Sequence, residues 1–249
     1  MIKRITLFIS FFLFSISFAT AQNWGGGIDD EQFNFGFSFQ YVVSEYKLTK
    51  IKNWRAPYFD VEQNAYVTDS LKSISSPTSA GFGIGFLIKS KLTSHIDARL
   101  TPTLVFNDRI LNYQYVDNTV NNPGVALTQR KVQATMIELP VGLRLRSDRL
   151  GNFRAYMIGG IKYSMDLASG KKTNDNAAAP INKLVKNKRI FLSYEAGIGF
   201  EMYFEHFKMS PELKVSHSFK DILLHTGNPY ADPIEKAKLR HFTFSLFFE

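Results

Sequence analysis

The chain has 249 residues, of which 45% are apolar, 14% aromatic and 21% charged. Its 30 Lys and Arg residues against 22 Asp and Glu residues give a formal net charge of +8 at pH 7. The absence of cysteine excludes disulfide frameworks, thiolate metal sites and thiol nucleophiles. Because some folds use about 200 to 250 residues as one unit, β-barrels among them, we expect a single domain.

The N-terminal segment has the pattern of a secretory signal peptide. Two basic residues precede an apolar run, and the small residues Ala19 and Ala21 stand just before Gln22. This order of basic, apolar and small-residue regions is typical of a cleaved leader. The apolar run is also shorter than the roughly 20 residues that cross a bilayer as a helix. We therefore predict a signal peptide at 1–21 and a mature barrel domain at 22–249.

Along the mature chain, apolar residues alternate with small or polar residues. Phe37 and Phe39, for example, alternate with Gly36 and Ser38. A period of two predicts β-strands with one apolar face. Pro102 weakens the third strand, because proline cannot donate to a strand ladder. The pattern predicts eight strands, near 33–43, 81–89, 94–106, 137–146, 153–163, 192–202, 207–216 and 241–248.

The connections between the predicted strands fall into two length classes. Three are short turns, and the other four run on the order of 20 to 35 residues, which is long for a compact soluble domain. Short turns at one end and long loops at the other are typical of outer-membrane barrels. We therefore predict an all-β fold, an eight-stranded antiparallel up-and-down transmembrane β-barrel with four long extracellular loops and short periplasmic turns. The alternative is a secreted soluble sandwich or a lipocalin-like barrel.

The polar faces of the predicted strands carry charges that would point into the barrel. Eight strands enclose only enough space for side chains to fill, and a buried charge without a partner is strongly unfavourable. We therefore expect the charges to pair in a structural network that fills the lumen, with a proton or ion path as the alternative. The predicted lumen-facing charges are Arg99, Glu138, Arg144, Glu195, Glu201, Glu212 and Lys214.

Short motifs occur in order over nearly the whole mature chain. They are Asn23-Trp24-Gly25-Gly26-Gly27, Phe35-Gly36-Phe37, Asn53-Trp54-Arg55-Ala56-Pro57, Ser73-Ile74-Ser75-Ser76-Pro77, Gly81-Phe82-Gly83-Ile84-Gly85-Phe86, Leu100-Thr101-Pro102, Glu138-Leu139-Pro140-Val141, Ser193-Tyr194-Glu195-Ala196-Gly197 and Pro211-Glu212-Leu213-Lys214. Together they resemble the PorT family of the type IX secretion system, the outer-membrane machinery that carries proteins to the surface of gliding and surface-secreting Gram-negative bacteria. The resemblance implies a role in type IX export and supplies no catalytic residue.

Candidate catalytic residues are few. His95 and Asp97 lie two residues apart on one face of the predicted third strand, a spacing that suits an acid and base pair, but they lie beside a short turn and away from the outer leaflet. His217 lies where barrels that deacylate lipopolysaccharide have a histidine, but Phe219 stands where those barrels have a serine. The histidines also lack metal-ligand spacing. We therefore expect no catalytic residue, no cofactor and no metal, and a protein that is not an enzyme.

Two of the long loops are candidates for contact with other molecules. Trp54, Tyr58 and Phe59 in the first long loop are candidates for docking, because aromatic side chains anchor interfaces. The alternative is that they pack this loop onto the barrel rim. The lysine-rich loop between the fifth and sixth strands is a candidate for contact with lipopolysaccharide phosphates, or else a solvated loop.

These patterns and the resemblance together predict a non-enzymatic accessory or scaffold of the type IX secretion system, in the outer membrane of a Gram-negative bacterium. The expected partners are outer-membrane lipid, lipopolysaccharide and other type IX secretion components, but not nucleic acid. Two alternatives stay open. One is a passive small barrel of the adhesion or membrane-stabilising kind, and the other is an enzyme that modifies lipid A in the outer leaflet.

Overall fold

The computed structural model describes residues 31–116, 125–167 and 179–249. The predicted signal peptide lies outside these ranges and stays a prediction. Eight long strands form the main sheet, and the third is interrupted once. Their bounds are β1 Phe33–Lys50, β2 Ser79–Lys91, β3 Ile96–Leu100 with Thr103–Phe106, β4 Thr135–Arg146, β5 Phe153–Asp166, β6 Ile190–Tyr203, β7 Lys208–Ser218 and β8 Ile234–Phe248.

Each strand pairs antiparallel with the next in chain order, and the last pairs with the first. Phe39 in β1 lies opposite Ile84 of β2 on one side and Leu246 of β8 on the other. The remaining neighbours, from β2 to β8, are paired in the same antiparallel way. The fold is therefore an eight-stranded antiparallel up-and-down β-barrel, as predicted.

The interruption of β3 does not shift its register. Leu100 lies opposite Ile88 and Thr103 lies opposite Gly85, so the same offset continues across the gap. Pro102 breaks the ladder because it has no N–H to donate, although its carbonyl still accepts a hydrogen bond from the Phe86 N–H at 2.9 Å. The prediction of one strand through this proline is therefore confirmed.

Apolar side chains face outward from the barrel, and polar side chains face inward. Phe86 in β2 is 70% exposed, whereas Glu201 in β6 is 0% exposed. A soluble barrel has the opposite arrangement, because its apolar residues fill the core. An outward apolar belt is what contact with lipid requires, so the soluble alternative is wrong. The belt includes Phe37, Phe82, Ile84, Val141, Leu143, Met157, Ile161, Ile198, Leu213 and Phe244.

The two ends of the barrel differ. Short turns lie at one end, here named the turn end, at 92–95, 147–152 and 204–207. Long connections lie at the other end, here named the loop end, at 51–78, 107–134, 167–189 and 219–233. The last connection is shorter than predicted, because β8 begins at Ile234 rather than near His241.

Strands β1 and β8 extend beyond the apolar belt at the loop end, and there the inward and outward faces exchange character. In β1, the inward residues change from the polar Ser44 to the apolar Tyr46, while Lys47 faces outward. In β8, Leu239 faces inward and Lys238 outward. Charges that face outward belong in water rather than lipid. The extended segments therefore stand above the membrane.

The long connections fold into a cap at the loop end. Its main part is a three-stranded antiparallel sheet of Leu71–Ser75, Arg109–Val116 and Val125–Val132. Two short strand pairs, Phe59–Asp60 with Ala65–Tyr66 and Lys186–Asn187 with Leu223–Leu224, and a 3-10 turn at Pro180–Asn182 complete the cap. Across 31–116, 125–167 and 179–249, no helix is long and apolar enough to cross a membrane.

The cap has a hydrophobic core of its own, formed jointly with the outer ends of the barrel strands. This core has the arrangement of a soluble protein, with apolar residues inside. The barrel interior and the cap interior therefore follow opposite rules within one chain. The core residues are Tyr46, Leu71, Ile74, Leu111, Tyr113, Tyr115, Val132, Ala134, Met136, Val185, Phe191, Ile222, Leu223, Tyr230, Ala231, Ile234, Ala237 and Leu239.

Candidate functional site

A salt bridge joins opposite walls of the barrel. Arg99 in β3 and Glu212 in β7 are separated by three strands in either direction around the ring, so they face each other across the lumen. The Arg99 Nη2 atom lies 2.7 Å from Glu212 Oε1 and 2.6 Å from Oε2. Both side chains are buried. Their contact closes the lumen at this level.

A second cluster centres on Arg144 of β4. Its Nη2 atom donates to Asp97 at 2.8 Å and to Glu201 at 2.5 Å. The guanidinium also lies 4.4 Å from the centre of the Tyr156 ring. The Tyr156 hydroxyl donates to Glu212 at 2.9 Å. This cluster is therefore joined to the bridge between the opposite walls.

Space for the Tyr156 ring depends on a residue without a side chain. A Cβ atom added at Gly199 would lie 2.4 Å from the ring carbon that bears the Tyr156 hydroxyl. At this distance the two carbon atoms would overlap, because it is much shorter than a van der Waals contact. The glycine in β6 therefore makes room for the aromatic filling of the lumen, in line with the use of glycine where groups approach closely.

The turn end of the lumen is closed by a third cluster. Lys208 lies 2.8 Å from the Glu249 carboxylate and 3.6 Å from Glu201. Lys89 of β2 lies 2.5 Å from the same Glu249 carboxylate. Because Lys89 and Lys208 lie on different walls, Glu249 bridges β2 to β7.

Further charged pairs occupy the rest of the lumen. Lys162 donates to Glu138 at 2.9 Å and lies 3.1 Å from the Nδ1 atom of the buried His241. Lys214 donates to Glu195 at 3.2 Å. Every one of the seven lumen-facing charges predicted from the sequence is buried and has an ion-pair partner of opposite charge.

Several partners in this network were missing from the predicted set. Asp97, Lys89 and Lys208 occupy inward positions, Asp97 in phase with Arg99, Lys208 in phase with Glu212, and Lys89 in phase with the glycines of β2. Asp97, for instance, lies two residues before Arg99. All three lie inside the predicted strands, so counting every charge on the polar faces would have identified them.

The pairing of His95 with Asp97 on one strand face is wrong. Asp97 is buried in the lumen, whereas His95 is exposed in the turn before β3. The His95 Nε2 atom lies 3.0 Å from Asp148 in the next turn, and Nδ1 lies 2.9 Å from the Ser94 hydroxyl. β3 begins at Ile96, so His95 precedes the strand, and the alternation of inward and outward side chains does not extend to it. His95 therefore links two turns at the turn end.

The second histidine considered from the sequence lies on the outer surface of the barrel. His217 of β7 stacks on Tyr194 of β6, with 5.7 Å between the ring centres. Phe219 packs on the same tyrosine at 5.4 Å. This is an aromatic cluster at the rim. Within the described ranges, no group of three or more His, Asp or Glu residues is arranged to hold a metal ion.

The three aromatic residues proposed for docking have different environments. Trp54 packs against the cap core, with Lys50 at 4.0 Å and Arg55 at 5.0 Å from its ring centre. The Tyr58 hydroxyl donates to the Gly227 carbonyl at 3.2 Å, which ties the first loop to the last. Phe59 is exposed. Trp54 and Tyr58 therefore pack the loop within the protein, which was the alternative to docking. Of the three residues, Phe59 stays a candidate for docking, because it is exposed.

The lysine-rich loop is described only in part. Lys171 and Lys172 lie outside the described residues. Lys188 donates to the Asp221 carboxylate at 3.3 Å and to the Asp221 carbonyl at 2.8 Å. At least one of the basic residues in this loop is therefore paired with an acidic residue of the last long connection, at the cap surface.

Comparison with known proteins identifies a family. A family model described as an outer membrane protein beta-barrel domain matches residues 12–224. No curated protein matches the chain. Solved structures with some similarity include Neisserial surface protein A, with a TM-score of 0.41 and 4% identity over 87% of this chain and 98% of that one. OprG from Pseudomonas aeruginosa has a TM-score of 0.38 and 13% identity over 86% and 93%. The attachment invasion locus protein Ail of Yersinia pestis has a TM-score of 0.37 and 10% identity over 88% and 99%.

Proposed function

Because this chain belongs to the outer membrane protein β-barrel domain family and lies in the outer membrane, we propose that it is a PorT-type component of the type IX protein secretion system. In this proposal it is not an enzyme. It serves as an accessory or scaffold for the export of surface and secreted proteins. Its loop end faces the cell exterior and its turn end the periplasm.

The observation that carries the contact mechanism of this proposal is the bridge between Arg99 and Glu212 across the lumen. A lumen crossed by buried ion pairs leaves no path for an exported polypeptide, so export must occur elsewhere. A filled barrel can contribute to secretion through its surfaces. The bridge therefore supports a role by contact rather than by conduction.

The segments that resemble the PorT family support the same role. Trp54 anchors the first long loop against the cap core. In another of these motifs, Ser73-Ile74-Ser75-Ser76-Pro77 of the same connection, the Ser76 hydroxyl accepts a hydrogen bond from the Tyr46 N–H at 3.0 Å and donates one to the Ile110 carbonyl at 3.0 Å. Both motifs thus hold the cap on the barrel. The resemblance includes residues that build an ordered extracellular surface.

The proposed contact surface is the hairpin of the first long loop. Phe59 is exposed and packs edge-to-face on Tyr66, with 5.2 Å between ring centres. Val61 at the tip is also exposed. Exposed apolar side chains on an ordered loop are candidates for protein interfaces. We propose other type IX components as partners of this hairpin, with lipid and lipopolysaccharide around the barrel wall.

A passive small barrel is the main rival function, because a filled lumen suits it equally well. The rivals differ in whether the hairpin has a partner. The test is a double variant that combines Phe59→Ser with Val61→Ser. The matched control is Leu127→Ser, which changes an exposed apolar residue on another cap strand. Under the proposal, the double variant inserts normally but exports less type IX cargo and co-purifies fewer secretion components in mild detergent. The control behaves as wild type. Normal export and normal co-purification by the double variant would favour the passive barrel.

A further inference from the structure

The apolar belt ends at the same register on β1 and β8. Val43 lies opposite Phe242, and these are the last outward apolar residues on the two strands before the loop end. Two residues further along each strand, Glu45 lies opposite Arg240. Because a strand rises about 3.3 Å per residue, this charged pair lies within about 7 Å of the last apolar pair. The outward charges on β1 and β8 therefore begin at the level of the lipid headgroups.

Basic residues predominate on the outward face just beyond this boundary. Lys47 lies directly opposite Lys238, and both side chains are exposed. Lys236 follows two residues away on β8 and is also exposed. Like charges directly opposite each other on neighbouring strands are destabilising. The pair of Lys47 and Lys238 therefore weakens the pairing of β1 with β8 unless an anion lies between the two lysines.

The carboxylates on this face neutralise the cations only in part. Glu45 is shared by two of the four cations, with 3.3 Å between its carboxylate and the Lys47 Nζ atom. Glu235 lies 3.1 Å from Lys236. Lys238 has no ion-pair partner among the residues that the structure describes. Two carboxylates and four cations leave a net positive charge centred on Lys238.

This positive charge is local rather than a property of the whole rim. On β5, which lies across the barrel from β1, the outward residues toward the loop end are Tyr163 and Met165. These side chains carry no charge at neutral pH. An anion near the barrel wall is therefore attracted to β1 and β8 rather than to β5.

The contact between Arg240 and Phe242 indicates what kind of anion fits this face. The guanidinium of Arg240 lies 4.8 Å from the centre of the Phe242 ring, and Phe242 faces outward in the apolar belt. A ligand here contacts cations and apolar side chains at the same time. An anionic lipid offers a charged headgroup and acyl chains together, whereas a soluble anion uses only the cations.

We propose that this face of β1 and β8 binds a phosphate of lipid A in the outer leaflet. Opposite residues on paired strands have Cβ atoms about 5 Å apart, so the ammonium groups of Lys47 and Lys238 both reach one phosphate. Each then donates a charge-assisted hydrogen bond, and the two lysines no longer repel each other without compensation. The acyl chains pack on the apolar belt below. The inference rests on the orientation in the proposed function, with the loop end outside, but not on the role in secretion.

The test uses the full barrel in nanodiscs of a zwitterionic phospholipid, with a chelator that removes divalent cations. One probe is lipid A with both phosphates, and the other is the same lipid A after both phosphates have been removed. Native mass spectrometry measures how much of each stays bound. We expect the phosphorylated form to be retained at lower concentration, and inorganic phosphate at the same concentration not to displace it.

Three double variants connect this binding to the lysine pair. Lys47→Gln with Lys238→Gln should weaken binding of phosphorylated lipid A about tenfold to thirtyfold. Lys47→Arg with Lys238→Arg keeps both charges and should bind as wild type. The matched control, Lys72→Gln with Lys131→Gln, removes the same charge from two exposed lysines of the cap sheet and should also bind as wild type. Heat-modifiable gel mobility confirms that each variant is folded.

Four outcomes would overturn the proposal. The first is equal retention of lipid A with and without phosphates, and the second is displacement by inorganic phosphate at the same concentration. The third is undiminished binding by the glutamine variant of Lys47 and Lys238. The fourth is an equal loss in the control variant, which would show that only the overall charge matters. None of these outcomes bears on the secretion role, which the hairpin variant tests separately.

Discussion

Arg99 and Glu212 are bonded across the full width of the lumen, with 2.6 Å between the guanidinium and the carboxylate. Glu212 also accepts from Tyr156 at 2.9 Å, so the bridge is held at one end by a neutral donor. Opposite walls joined directly leave no continuous pore at this level. The barrel therefore has a filled lumen and supports a cap at one end. We expect it to function through contacts of its surfaces.

The bridge should have a measurable coupling energy. Arg99→Met leaves a buried carboxylate without its main partner, and we predict a loss of about 3 to 5 kcal/mol in the free energy of unfolding. The double variant with Glu212→Leu should lose clearly less than the sum of the two single losses. Urea unfolding of barrels folded into lipid bilayers measures both quantities. Losses that simply add would show that the pair is not coupled.

The control for this cycle is Arg99→Met combined with Glu138→Gln. Glu138 is paired with Lys162 rather than with Arg99. Effects of residues that share no partner usually add, so this second cycle should show no coupling.

The outward face of β4 should tolerate apolar exchange but not charge. Val141 lies at the middle of β4, exposed between Leu100 and Ile161 of the neighbouring strands. We predict that Val141→Arg lowers the free energy of unfolding in bilayers by about 2 to 4 kcal/mol, and that Val141→Ala changes it much less. An arginine at 141 without such a loss would place this residue outside the membrane.

Acid should weaken the attachment of the cap to β8. Partial burial by itself raises the pKa of Asp221, but hydrogen bonds from the Ala237 and Leu223 amides and from Lys188 outweigh burial and hold this pKa below its ordinary value. The Ala237 N–H donates to the carboxylate at 2.7 Å. A depressed folded-state pKa gives stability that is complete above the unfolded pKa and is lost as the pH falls through the folded pKa.

We therefore predict that Asp221→Asn destabilises the protein near neutral pH, and that its difference from wild type shrinks in acid. Unfolding free energies at about pH 6 and about pH 3, on either side of the ordinary aspartate pKa, measure the effect. A difference that is the same at both pH values would show that ionisation of this carboxylate does not stabilise the cap.

The predicted signal peptide has a direct test. Because Ala19 and Ala21 occupy the small-residue cleavage positions, we predict that the mature protein begins at Gln22. N-terminal sequencing of the protein from the membrane fraction checks this, and retention of Met1 would refute it.

Most of the barrel was predictable because lipid imposes a simple rule. Alternation of Phe37 and Phe39 with Gly36 and Ser38 continues for a whole strand, and the same rule located the inward charges. The ends were missed because the rule inverts where strands leave the membrane. Beyond Ser44 in β1, the inward position is the apolar Tyr46 and the next outward position is the charged Lys47. This change in the polarity of the two strand faces is visible in the sequence and would have marked the membrane boundary.

The cap was not predictable from local patterns. Its core brings together residues far apart in the chain, as when the Tyr113 hydroxyl donates to the Tyr230 carbonyl at 2.7 Å. Leu111, Tyr113 and Tyr115 do alternate with Asn112 and Gln114, but alternation within one strand does not show which strands pair with it or what covers its apolar face. For the same reason, the sequence could not separate the packed Trp54 from the exposed Phe59, because burial of a loop aromatic depends on tertiary contacts.

The most direct test of the central claim is electrical recording from the purified barrel in planar lipid bilayers. A lumen crossed by the pair of Arg99 and Glu212 and filled by the surrounding ion pairs predicts no steady conductance across a range of voltages. Steady openings on the nanosiemens scale from monomeric, heat-modifiable protein would contradict the account, because they would require a continuous water-filled pore where the structure places buried ion pairs.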